Sequence, residues 1–197
     1  MPRDLEERFI DLVLADPVNA AILARLPELH LNDCWLVAGC LFGPVWDARS
    51  GAGPGSRTND YDIFYWDEDT SWEAEDTVIG HANRLFADLG VVIEARNQAR
   101  VPIWFEQHFG SPYPESTGSA ENIGRFIVAG TCLGLRPNGH GGFDLCAPFG
   151  LEDVFAGALR PNPNNPTPGR FAVKCASYRA RWPWLRVADT TDQAPRE

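Results

Sequence analysis

Asp60 and Asp62 are the residues of this sequence best placed to do chemistry. They open the run Tyr61-Asp62-Ile63-Phe64-Tyr65-Trp66, whose aromatic and β-branched residues suit a strand. Side chains of a strand alternate faces, so the two carboxylates point the same way. Their Cα atoms then lie roughly 6.6 Å apart, and both can reach one cation or a close pair of cations. Charged groups at the edge of a buried strand are costly unless something neutralises them. A hard divalent ion, Mg²⁺ or Mn²⁺, suits a few carboxylates combined with substrate phosphates.

Two further positions extend this pair. The apolar run Cys34-Trp35-Leu36-Val37-Ala38 leads into Gly39-Cys40, and Val91-Val92-Ile93 leads into Glu94. Neighbouring strands would gather Gly39, the aspartates and Glu94 at one edge of a sheet. Carboxylates grouped in this way repel one another unless a cation sits between them. Metal ions there could hold a triphosphate, lower the pKa of an attacking hydroxyl and stabilise departing pyrophosphate. A glycine where a strand turns into a helix lets backbone N–H groups approach phosphate oxygens. The alternative for Glu94 is a structural ion pair with Arg96, which shares its face if the strand continues.

The elements that must position these groups follow from periodicity. Leu5, Phe9, Leu12 and Val13 have helical spacing over residues 4–15. Asp16-Pro17 reads as an N-cap and first-turn proline opening a second helix, which Pro27 ends. The first strand is expected over 31–38, with Gly39 making the turn. A short helix follows from Leu41, in which Pro44 is acceptable only in the first turn. Residues 49–57, dense in glycine, read as a flexible loop. The second strand spans 60–66. Thr70 and Glu73 read as a capping box for a long helix closed by Gly90. The third strand covers 91–94, and Ser119 is expected to cap a helix carrying Ile123, Phe126 and Ile127. Strands are expected over 131–136 and 143–146, a helix over 151–159, and a last helix over about 170–182, stopped by Pro183.

The 197 residues, 44% of them hydrophobic, suit one compact domain with small additions. The expected division is N-terminal helices over 1–30, a core over 31–187 and a disordered tail over 188–197. A net charge of −10 disfavours tight non-specific binding to nucleic acid. No apolar run is long enough to span a bilayer, and the opening residues lack the apolar core of a signal peptide. The cysteines, 5 in all and without a CxxC pair, read as reduced thiols of a cytoplasmic protein.

The order of these motifs resembles the polymerase-β-type nucleotidyltransferase superfamily: strand, glycine turn with helix, Asp-x-Asp on the next strand, and a carboxylate on a later one. Five stretches look like the recurring segments of a bacterial family of nucleotidyltransferases without assigned substrate. They are 33–40, Asp60-Tyr61-Asp62, 94–101, Ala147-Pro148-Phe149-Gly150-Leu151 and Trp182-Pro183. The resemblance implies an α/β (α+β) fold of polymerase-β type, a small mixed sheet flanked by helices. It implies metal-dependent transfer of a nucleoside monophosphate from an NTP to an acceptor hydroxyl, with Asp60, Asp62 and Glu94 as catalytic metal ligands. It names no acceptor. Position 40 is Cys where the superfamily usually has Ser or Gly, and a thiol is a poor phosphate contact. A catalytically weak nucleotide- or partner-binding module on the same fold is therefore the alternative.

Other residues have two readings each. Gly39, Cys40 and Lys174 are expected at the nucleotide. Arg96, Asn97 and Arg100 are expected at the phosphate or acceptor, or else packed as charge compensation. Arg170, Lys174, Ser177 and Arg181 form a stripe at helical spacing, either a substrate contact or a solvated face. Trp66 and Trp104 could flank a base or sugar. A Cys40/His nucleophile and a metal-free pair of glycosidase-like carboxylates are further alternatives.

Overall fold

The computed structural model describes residues 4–188. The predicted tail thus lies almost wholly outside the described residues. Two helices come first, α1 (Leu5–Leu14) and α2 (Pro17–Arg25). Asp16 caps α2 by accepting the Val18 N–H at 2.9 Å, as the Asp-Pro pair implies. The sheet contains β1 (Trp35–Val37), β2 (Tyr61–Tyr65), β3 (Ile93–Asn97), β4 (Gly134–Pro137) and β5 (Phe143–Cys146), in the order β3-β2-β1-β4-β5. The β2–β3 pair is parallel and the other pairs are antiparallel, so the sheet is mixed.

Alternation along the strands divides the sheet into two faces. Leu36, Ile63, Tyr65, Ala95 and Leu135 point into the main core, whose buried residues run from Phe9 in α1 to Leu185. Trp35 and Val37 point the other way and meet Ile123, with Phe64 and Phe126 packed alongside. Asp62 pairs with Val37, so it projects from this second face.

Between β1 and β2 runs α3 (Gly39–Arg49). Pro44 lies in its second turn rather than its first. Proline lacks the N–H that would bond the Cys40 carbonyl, and the side-chain amide of buried Asn19 donates to that carbonyl instead, at 2.7 Å. The glycine-rich segment after α3 is pinned. Arg57 bridges to fully buried Asp47 at 2.8 Å, and Asp47 also accepts the Trp182 indole N–H at 2.8 Å.

Several boundaries differ from the sequence reading for local reasons. Left-handed backbone at His30 and Asp33 (φ 53° and 44°) delays β1 to Trp35. The cap of α4 (Trp72–Leu85) is Ser71 accepting from Ala74, not Thr70 with Glu73. β3 starts later and ends later than expected. The aromatic run 103–105 lies within α5 (Val101–Phe109). Ser119 is the first residue of α6 (Ser119–Ile123), and its N–H is taken by the Asp33 carboxylate at 2.6 Å. The predicted helix 151–159 stops as α7 (Glu152–Ala156), because Gly157 turns with φ 68° against Trp184. The chain then pairs β6 (Ala158–Leu159) in parallel with β7 (Arg186–Val187), after α8 (Phe171–Arg181). No helix among the described residues is long and apolar enough to cross a membrane.

Candidate active site

β2 carries Asp62 and Phe64 on the face away from the main core, and Asp60 precedes the strand with the same parity. In the parallel register Asp62 stands beside Glu94, and Phe64 beside Arg96. Adjacent strands lie about 4.8 Å apart, so Asp62 and Glu94 are lateral neighbours. β1 ends beside them, where Val37 pairs with Asp62 and the next residues begin α3.

Gly39 does not make the turn. Ala38 takes it, with φ 63° and ψ −125°, a strained conformation for a residue with a Cβ. Gly39 is the first helical residue, and a Cβ built on it would meet only the Phe42 ring, at 3.9 Å. The α3 N-terminus therefore opens onto a cleft of about 470 Å³ lined by Gly39, Asp60, Asp62, Lys174, Ser177 and Arg181. A second chamber of about 400 Å³ adjoins it, sharing Ala38, Phe42, Asp62, Lys174 and Tyr178. The basic stripe of α8 thus faces the site: Arg170 and Lys174 line the chamber, and Lys174, Ser177 and Arg181 line the cleft.

Burial, and then the charges of Asp60 and Glu94, push the Asp62 carboxyl up to about 7, against the pull of Lys174 and Arg96. Burial, with Arg181 nearby, pushes the Lys174 ammonium down, while Asp62 and Asp60 hold it up. The nearby cations thus leave Asp62 under-neutralised. A paired donor set in this condition fits a hard divalent ion. Glu94 fits less directly, because Arg96 bonds it at 3.2 Å, the ion pair weighed as its structural alternative. Among the described residues no three carboxylate, thiol or imidazole groups form a ready metal cluster.

Other predicted contacts lie elsewhere. The Cys40 thiol is buried, donates to the Val37 carbonyl at 3.2 Å and points into the core. Burial pushes it well above the usual thiol range, so it is no nucleophile and no phosphate contact. Asn97 lies on the core face of β3, and its side chain ties the backbone of Asp67 and Asp69 to the sheet. Arg100 is buried in an ion pair with Glu75 at 2.9 Å and stacks over Trp72. Asn97 touches the chamber wall, but it and Arg100 are committed to protein partners. Trp104 lines the chamber. The sequence reading did not single out Phe64, Asn59 or Thr58, which the cleft and chamber also include. Phe64 carried a signal, being two residues beyond Asp62 on the same face. Asp47 carried none, because its partners Arg57 and Trp182 are distant in sequence.

Comparison with known proteins places the chain in a family and a fold. Residues 24–187 match a family described as Nucleotidyltransferase. An NMR structure described as revealing a CCA-adding enzyme head domain is 26% identical, covers 93% of this chain and 96% of its own, and superposes with a TM-score of 0.76. A CCA-adding enzyme solved in complex with CTP is 14% identical, with a TM-score of 0.55 over 96% of this chain and 44% of that one, and so shares the fold. No curated protein matches. Given a family match over most of its length, and a mixed sheet flanked by helices in the arrangement of that head domain, the chain belongs to this nucleotidyltransferase family and has a polymerase-β-like fold.

Proposed function

We propose that the protein transfers a nucleoside monophosphate from an NTP to an acceptor hydroxyl and releases pyrophosphate, with Asp60 and Asp62 holding Mg²⁺ or Mn²⁺. The observation that carries this reading is the convergence of Asp60 and Asp62, the latter under-neutralised, on one cleft with the α3 N-terminus and Lys174. When bound, the ion would neutralise phosphate charge and acidify the acceptor hydroxyl.

The chain's own residues supply position and charge. The first amides of α3, at Gly39 and Cys40, would receive the phosphates, and the helix dipole favours their charge. Lys174 and Arg181 would bind phosphate oxygens from the opposite wall. The acceptor oxygen forms a bond to the α-phosphorus while the bond from that phosphorus to the bridging oxygen breaks. Pyrophosphate leaves with the bonding pair, and the hydroxyl proton goes to Glu94 or water. For Glu94 to act as base or ligand, Arg96 must release it, and Arg96 can then contact the substrate.

Calorimetric titration with Mg²⁺–ATP tests this reading. Wild type should bind, and Asp62→Asn should lose at least tenfold in affinity. Equal binding by both would refute it. The Glu94–Arg96 pair favours a second reading, a catalytically weak binding module. It predicts nucleotide binding without pyrophosphate release across a broad acceptor screen.

A further inference from the structure

The chamber beside Asp62 differs in character from the cleft. Its floor is Phe64, two residues beyond Asp62 on the same face, with Phe126 edge-on at 5.6 Å between ring centroids. Its walls carry Trp104, Phe105, Phe109 and Tyr113. Phe105 lies 4.5 Å from Phe109 and 4.7 Å from Tyr113 between centroids. Rings set at these tilts present faces and edges to a flat guest, a geometry that selects aromatic over saturated bodies.

The outer wall is preformed. The Arg125 guanidinium donates to the carbonyls of Pro114 (2.9 Å) and Glu115 (2.6 Å) and lies over the Tyr113 ring. The Asn165 amide donates to the Arg125 carbonyl at 2.6 Å, and the Ser111 hydroxyl to the Pro166 carbonyl at 3.2 Å. Two loops are thereby tied to each other and to Arg125. A volume of about 400 Å³ holds a single small molecule.

The chamber meets the cleft at Asp62 and Lys174, on the β3 side of Asp62 where Arg96 stands. A guest there lies beside Asp62 and Lys174, next to the cleft that the nucleotide's phosphates would occupy. We propose that this chamber is the acceptor site, and that the acceptor is a free small molecule with a flat aromatic body bearing the hydroxyl. This rests on the nucleotide reading of the cleft. The transfer is the one written above: an acceptor O–P bond forms, the α–β phosphoanhydride bond breaks, and pyrophosphate departs.

The test is calorimetric titration with 2-naphthol and its saturated counterpart decahydro-2-naphthol, alone and with Mg²⁺–α,β-methylene-ATP bound. The expected result is one naphthol site, at least tenfold weaker for the saturated ring and unchanged within about twofold by the nucleotide analogue. Trp104→Ala, at an exposed position (43%), should weaken naphthol at least fivefold in protein whose thermal unfolding matches wild type. Equal binding of the two alcohols, or no effect of Trp104→Ala, overturns the assignment. Displacement of the analogue by naphthol also overturns it, because the chamber then belongs to the base of the NTP. A single-stranded RNA dodecamer that competes with naphthol and loses affinity in Trp104→Ala overturns it in favour of a polymer end. Loss of naphthol binding with Asp62-dependent binding of the analogue intact defeats this inference alone. Analogue binding that is indifferent to Asp62→Asn defeats the nucleotide reading and the acceptor assignment with it.

Discussion

Asp62 and Glu94 occupy paired positions on adjacent parallel strands, with their carboxylates on one face of the sheet. Burial and the charges of Asp60 and Glu94 hold the Asp62 proton to about pH 7 in the folded metal-free protein. The unfolded chain releases it near pH 4. Between these values the folded state binds more protons, so stability must fall as pH rises through that window. Asp62→Asn should reduce this slope, leaving the part that buried Asp16, also raised by burial, contributes, and raise the melting temperature of metal-free protein at pH 8 by a few degrees, at about 2–4 °C per kcal/mol for a chain of this size. Thermal unfolding of both proteins at pH 5 and pH 8 checks this. Added Mg²⁺ should raise wild type at pH 8 and leave the variant unchanged.

The turn at Ala38 stores strain. A glycine accepts φ 63° and ψ −125° without penalty, while it adds entropy to the unfolded chain. Ala38→Gly should therefore stabilise the protein by about 1 kcal/mol. Urea unfolding with an unchanged slope is the measurement, and a destabilised variant would mean that the Ala38 methyl does more by packing than it costs by strain.

At the next residue the fold leaves room for a side chain, and the proposed nucleotide site is what would exclude one. A Cβ on Gly39 has room in the free protein, its nearest neighbour being Phe42 at 3.9 Å, but it enters the cleft at the helix N-terminus. Gly39→Ala should melt within about 2 °C of wild type, a difference of 1 kcal/mol or less. It should also bind Mg²⁺–ATP at least tenfold more weakly. Cys40→Ala, by contrast, should leave nucleotide affinity unchanged, because that thiol faces the core.

Asn19 and Pro44 are linked through the Cys40 carbonyl. Asn19 supplies to the Cys40 carbonyl the hydrogen bond that Pro44 cannot. Asn19→Ala should cost about 1–3 kcal/mol by leaving a buried carbonyl unpaired. In a Pro44→Ala background, where a backbone N–H returns, the same substitution should cost less. A double-mutant cycle in chemical unfolding measures the difference, and strict additivity would remove Asn19 from this role.

Asp47 holds the glycine-rich segment through Arg57 and the C-terminal region through Trp182. Asp47→Asn removes the buried charge and weakens its bonds to Arg57 and Trp182, while Arg57 keeps access to solvent, so it should lower stability by about 1–2 kcal/mol. Limited proteolysis should cut near residues 51–57 faster in this variant than in wild type.

What the sequence determined by itself rests on local periodicity. A strand repeats every two residues, so Asp60, Asp62 and Phe64 share a face in any fold that contains that strand. A helix repeats every 3.6, so Lys174, Ser177 and Arg181 form one stripe wherever α8 lies. The order of the motifs then matched the sheet observed. Tertiary structure decided the rest, because it depends on contacts between distant segments. Strand register set Glu94 beside Asp62 and gave it Arg96 as partner. Packing of α8 set its basic stripe along the wall of the cleft that holds the aspartates, where it stays open to solvent. The backbone strain fell on Ala38 instead of Gly39, and the helical phase of α3 sent the Cys40 side chain into the core. Asn97 and Arg100 were drawn to buried partners around Glu75 and the loop before α4, because a polar group in the interior is stable only where its hydrogen bonds are met.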